Sequence, residues 1–173
     1  MQGFLDDFRE TLSQAAARFE LISEQQSQQP RSHGKWSPRQ ILGHLIDSAA
    51  NNHARFVRAQ LTEDLVFDGY AQMEWVQLQR YQEVAWQDLL QLWHAYNRHI
   101  LHLIEVTPDE QRNKLRAKHN LHKIASELLK EDEPVTLDWF MRDYLDHMKK
   151  HLAQIFESLP RGETVSPAAV AGY

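Results

Sequence analysis

Apolar residues recur at intervals of three and four along four long stretches of the chain. No stretch alternates with period two over the length of a strand, so the pattern predicts helices and no sheet. The first stretch carries Phe4, Phe8, Leu12, Ala15, Phe19 and Ile22, and runs out in a polar linker, Q-Q-S-Q-Q-P, ended by Pro30. The second opens at Ser37-Pro38, where a serine N-cap and a proline in the first helical position mark a helix start. Its apolar side is Ile41, Leu42, Leu45, Ala49 and Phe56, and it extends to about Gln60. The third presents Trp86, Leu89, Leu90, Trp93, Ile100 and Ile104. The fourth, capped by Thr136, presents Leu137, Phe140, Met141, Tyr144, Met148, Leu152 and Ile155.

Between the second and third helices lies a long connection, about Leu61 to Val84, with Phe67, Tyr70, Trp75 and Tyr81 and a short helix expected around Ala71 to Gln79. A less regular basic region follows Thr107, with an amphipathic segment expected near Leu121 to Leu129. Four amphipathic helices of similar length, with a long connection between helices 2 and 3, predict an all-α four-helix bundle. The expected domain is residues 1–159. The tail, 160–173, has no periodicity and is expected to be mobile.

Composition narrows the chemistry. The formal net charge of −5 offers no electrostatic footprint for nucleic acid. No apolar run approaches the length of a membrane span, and the acidic start lacks the apolar core of a signal peptide, so a cytoplasmic protein is expected. The chain has no cysteine. Disulfides, thiolate ligands and a cysteine nucleophile are therefore absent, and any metal must be held by His, Asp or Glu. Ten histidines are available.

Two of these, His147 and His151, stand one helical turn apart within the core stripe of the fourth helix, where they project to nearly the same place. Such a pair chelates a divalent ion, or else forms hydrogen bonds inside a core. The residues between them are Met-Lys-Lys, so the glutamate of the zinc-protease motif is missing. On the second helix His44 begins a polar row, continued by Asp47, Ser48, Asn51 and Arg55, beside the apolar stripe. A polar row next to a core is costly unless it is satisfied. It serves either a metal site between helices or a hydrogen-bond network. His53, His99 and His102 fall on polar faces, His94 at a core edge, and His33, His119 and His122 in or near connections. The basic stretch Arg112 to His119 reads as a solvated connection, or as an attractor for an acidic cosubstrate.

The residues from about Trp36 to Phe156 resemble the DinB/YfiT-like superfamily of metal-dependent enzymes, in particular its YfiT-like branch. The likeness rests on Trp36-Ser37 followed by His44, Asp47, Ser48, Asn51 and Arg55. It continues in Leu61-Thr62-Glu63-Asp64 with Phe67, Tyr70, Glu74 and Trp75, and in Tyr144, His147, His151 and Ile155. The resemblance implies a four-helix bundle in which His44, His147 and His151 hold a divalent metal, Zn²⁺ or Ni²⁺. It also implies a homodimer and a small-molecule substrate. Its implied activity is transfer of a low-molecular-weight thiol cosubstrate to an electrophile. Hydrolysis by metal-bound hydroxide and a non-catalytic, stress-related metal-binding bundle are the alternatives. Asp47 and Asp143 are candidates for orienting the ligands, and Asn51 and Arg55 for binding substrate. The chain departs from the family pattern at Lys150 and Gln154, where histidines are common.

Overall fold

The computed structural model describes residues 1–157. The expected mobile tail, 160–173, lies outside the described residues. Seven α-helices are present in this span: α1 (Gln2–Phe19), α2 (Glu24–Ser27), α3 (Pro38–Arg58), α4 (Gln72–Leu78), α5 (Trp86–Val106), α6 (Asp109–Asn113) and α7 (Leu137–Glu157). The long ones, α1, α3, α5 and α7, form a four-helix bundle. Both α1 and α3 pack against α5 and α7, and the closest pairing is α3 with α5. Thus α1 and α3, successive long helices in sequence, occupy opposite corners. The chain between them crosses the bundle end.

The stripes read from the sequence are the buried faces. Phe4, Phe8, Leu12, Ala15 and Phe19 of α1 are buried, as are all seven inward residues expected of α7. Phe19 meets the rings of Trp86 and Trp93 edge-on, at 5.5 and 5.3 Å between centroids, the geometry favoured by aromatic quadrupoles. Helix α3 begins as its sequence dictates. The Ser37 hydroxyl accepts the Gln40 N–H at 3.3 Å, the Gln40 side chain accepts the Ser37 N–H at 3.0 Å, and Pro38 occupies the first turn. At the start of α7 the Thr136 hydroxyl accepts the Trp139 N–H at 3.1 Å.

The crossing from α1 to α3 is more ordered than a polar linker suggests. Ser23 and Gln26 form a second reciprocal cap that starts α2. Arg39, 1% exposed, then binds the Ser27 hydroxyl, the Gln82 carbonyl and the Glu24 carboxylate. Glu24 in turn accepts the Trp86 N–H at 3.0 Å. That backbone bond, reinforced by Arg39, holds its carboxyl below the usual range. One buried guanidinium thus joins α2, α3 and the entry to α5, and fixes the segment that carries Trp36.

Two expectations are corrected. The amphipathic segment near Leu121 to Leu129 is a single 3₁₀ turn, Leu121–Lys123, followed by turns and bends. Asp143 on α7 draws this segment out of helix by accepting the Ser126 and Glu127 N–H groups. The basic stretch Arg112 to His119, which begins inside α6, is not a free cationic surface. Arg112 and Arg116 are buried, Arg112 beside Asp109 and Asp138 and Arg116 on the carbonyls of Ala59, Gln111 and Lys114. Lys114 and Lys118 pair with Glu63 and Asp64 of the long connection. Two isolated bridges, Leu65 with His119 and Arg116 with Val135, are the only extended pairings among the described residues.

Candidate metal centre

His44 lies two turns into α3, on the side facing α7, and is fully buried. His147 and His151 lie on α7 and are half-buried. Packing of α3 against α7 brings the three rings together. Centroids stand 5.3 Å apart for His44 and His147, 4.7 Å for His44 and His151, and 4.6 Å for His147 and His151. One ring nitrogen from each lies within 4.8 Å of the others.

The Nε2 atoms of His44 and His147 are 3.4 Å apart. Two ligands each 2.0–2.1 Å from a tetrahedral ion are separated by about 3.4 Å, so this spacing already matches one edge of such a site. His151 donates its Nδ1–H to Gln154 Oε1 at 3.0 Å, which leaves the lone pair on Nε2. Burial pushes His44 down to about 4, with the nearby His151 adding to the effect. Burial also pushes His147 down to about 3, assisted by His151, His44 and Lys150. His151 is lowered by burial, against its bond to Gln154. At neutral pH the cluster therefore offers three uncharged imidazoles, the protonation state a cation requires. Among the described residues no carboxylate belongs to the cluster.

Trp36 and Asp47 flank His44, and Gln79 and Tyr81 hold Asp47. The Trp36 ring lies 5.4 Å from that of His44. Asp47, one turn beyond His44, is buried, and its Oδ1 accepts from Gln79 at 2.6 Å and from the Tyr81 hydroxyl at 2.7 Å. Burial raises the Asp47 carboxyl, while these two bonds oppose the shift. Burial, and then the bond to Asp47, push the Tyr81 phenol upward. Two buried polar atoms on this turn lack hydrogen-bond partners, His44 Nδ1 and Asp47 Oδ2. Beside the cluster opens a cleft of about 550 Å³, bounded by Trp36, Ile41, Met73, Gln154, Arg31 and Lys35.

A family model described as the DinB superfamily matches residues 7–155. The chain belongs to the DinB superfamily. Among solved structures, this DinB-superfamily chain is similar to YfiT from Bacillus subtilis, described as "a probable metal-dependent hydrolase with an unusual four-helix bundle topology". The two share 22% identity with a TM-score of 0.72 over 91% of this chain and 87% of that one, a likeness of fold. A search of curated proteins found no match.

The other residues singled out in the sequence sit as follows. Asn51 donates to the Asp47 carbonyl at 2.9 Å. Arg55, buried, donates to the Asp68 carbonyl at 2.7 Å and toward Asn52 at 3.4 Å, so it anchors the long connection to α3. Asp143 faces the 126–127 backbone, where both oxygens accept the Ser126 N–H and Oδ1 also accepts the Glu127 N–H and the Ser126 hydroxyl. His99 and His102 are exposed as expected, but His53 is half-buried, its ring 5.0 Å from that of His99 and 5.8 Å from that of Tyr96. His119 is a buried structural residue that accepts the Leu121 N–H at Nδ1 and donates from Nε2 to the Glu133 carbonyl.

Tyr81, Gln79 and Gln154 were not singled out as site residues in the sequence. One signal for Tyr81 was present. Gly43 interrupts α3 beside His44, and a glycine inside a helix marks a close approach. A Cβ there would lie 2.1 Å from Tyr81 Cδ2.

Proposed function

We propose that this protein is a metal-dependent hydrolase acting on a small molecule, with His44, His147 and His151 holding a divalent ion, Zn²⁺ or Ni²⁺. The observation that carries the reading is the convergence of three neutral imidazoles, two of them with Nε2 atoms at 3.4 Å. Imidazole is a borderline ligand that suits either ion. The description of YfiT as a probable metal-dependent hydrolase supports hydrolysis as the reaction. When bound, such an ion lowers the pKa of the water or thiol it takes up and so supplies a nucleophile at neutral pH.

The chain's own residues do the rest. Three ligands leave positions open, the pattern of catalytic rather than structural sites. Gln154 holds His151 in the tautomer that keeps Nε2 free. A neutral His44 that commits Nε2 to the ion carries its proton on Nδ1, and Asp47 Oδ2 is the buried acceptor without a partner on the same turn. Asp47 is held by Tyr81 and Gln79 one turn beyond His44, and a rotation of its free Oδ2 toward Nδ1 would make it the positioning residue for that ligand. Trp36 covers the His44 ring and directs access through the adjoining cleft.

Thiol transfer to an electrophile is the second reading. It shares the premise of the first, since an ion held by these three imidazoles would activate a bound thiol as it would water. Metal analysis of untagged, full-length protein tests the common premise. One equivalent of Zn²⁺ or Ni²⁺ is expected in the wild type and none in His147→Ala, and a wild type that takes up no metal after chelation and reloading sinks both readings. In the Co²⁺-substituted protein, a sulfur-to-cobalt charge-transfer band on adding a small thiol selects transfer. Turnover of an ester or amide without thiol selects hydrolysis.

A further inference from the structure

The cleft beside the three histidines has a chemistry of its own. It touches the metal centre at two points: its wall residue Trp36 lies against His44, and its wall residue Gln154 holds His151. Its volume, about 550 Å³, falls within the range of small-molecule sites. Ile41, Met73 and Trp36 supply an apolar surface. The charged residues on its wall are Arg31 and Lys35, and no carboxylate lines it among the described residues.

Both cations are available. Lys35 takes part in no ion pair among the described residues, and Arg31 reaches Glu157 at 3.2 Å with both side chains 62% exposed. A pair so exposed is weak and yields readily to a ligand. The turn that carries them is set by the sequence. The Lys35 N–H donates to the Ser32 carbonyl at 3.1 Å, and Gly34 between them has φ +77°, a left-handed conformation natural to glycine. The wall is thus positive on a chain whose net charge is −5. An anion meets attraction here that the molecule as a whole does not offer.

We infer that the substrate is an organic anion, bound with its apolar body against Trp36, Ile41 and Met73 and its carboxylate or phosphate toward Arg31 and Lys35. This rests on the hydrolase reading for the reaction and adds the substrate class. The electrostatic selection acts at the cleft wall, apart from the three histidines, and this permits a separate test.

Benzoate and its neutral isostere benzamide are titrated into the full chain, both metal-free and Zn²⁺-loaded. The Met73 methyl and Trp36 indole NMR signals report binding. Benzoate is expected to shift both signals in either form and to bind at least about fivefold more tightly than benzamide. The double variant Arg31→Glu/Lys35→Glu is expected to weaken benzoate about tenfold and to leave benzamide and Zn²⁺ uptake unchanged. Equal affinity for the two probes, or benzoate binding indifferent to charge reversal, overturns the inference. Benzoate that binds only the Zn²⁺-loaded protein and ignores the reversal sits on the metal, which refutes the cleft assignment while the metal reading stands. Charge-dependent benzoate binding by a protein that takes up no Zn²⁺ supports the cleft and refutes the metal reading.

Discussion

Replacing Gly43 by alanine probes how the fold holds the turn that carries His44. A Cβ at this position would stand 2.1 to 2.6 Å from Cδ2, Cγ and Cε2 of Tyr81, far inside van der Waals contact. The Tyr81 ring is buried, so it has no free direction in which to retreat. Forcing extra volume into a packed core costs about 1–3 kcal/mol. Any retreat also stretches the 2.7 Å bond to Asp47, and a hydrogen bond to a charged group contributes about 1.5–3 kcal/mol. Alanine returns about 1 kcal/mol because glycine is the poorer helix former. The net expectation is a loss of about 3 kcal/mol in urea unfolding of the metal-free protein. The sharper expectation is a change of sign. With Tyr81→Ala already present the clash and the bond are gone, and Gly43→Ala is then expected to stabilise by up to about 1 kcal/mol. The same sign in both backgrounds, or an unchanged Tyr81 environment in Gly43→Ala, would refute the argument that glycine is present to admit this ring.

Gln154→Leu removes the acceptor that fixes the His151 tautomer, and is expected to weaken Zn²⁺ affinity about 10–100-fold at unchanged stoichiometry, measured by competition with a chromogenic chelator. Asp143→Ala leaves the Ser126 and Glu127 donors without their carboxylate and is expected to lower stability by about 2–4 kcal/mol, while Zn²⁺ affinity is retained; a parallel loss of Zn²⁺ affinity would make Asp143 a ligand-orienting residue after all. The metal-free protein is expected to lose stability on acidification. His44 is held near 4 against an ordinary 6.5, so the unfolded chain binds the proton first and stability falls as pH drops from about 6.5 to 4, by about 3 kcal/mol for this residue. Urea midpoints at a series of pH values check this, and saturating Zn²⁺ is expected to move the acid limb to lower pH.

The bundle was legible because helices announce themselves locally. The α1 and α7 stripes, the Ser37-Pro38 start and the Thr136 cap follow from period and capping chemistry within a few residues. The segment near Leu121 to Leu129 was not, because its local amphipathic pattern is overridden from a distance. Four bonds from Asp143, seventeen and sixteen residues away, hold the 126–127 backbone in a non-helical path. The same bonds explain why a carboxylate one turn before His147 is not among the residues framing the cluster. Charge runs misled for a related reason. Arg112 and Arg116 look like a basic surface in one dimension, and only α7 and the C-terminal end of α3 supply Asp138 and the Ala59 carbonyl that bury them.

For the site itself, the three histidines were readable and their supports were not. Period aligns His147 with His151 on one helix, and the family resemblance implied that His44 of another helix joins them. Tyr81 and Gln79 come from the irregular connection after α3, and nothing periodic specifies where that segment lands. Gln154 appeared only as a departure from a family pattern, yet three residues beyond His151 on a helix is the place from which a side chain reaches back to a ring nitrogen. A glutamine there accepts from Nδ1–H without adding charge, whereas a histidine would add a fourth titratable ring to a cluster that burial already keeps neutral. Gln154 thus supplies His151 with a hydrogen-bond acceptor while leaving the number of titratable rings at three.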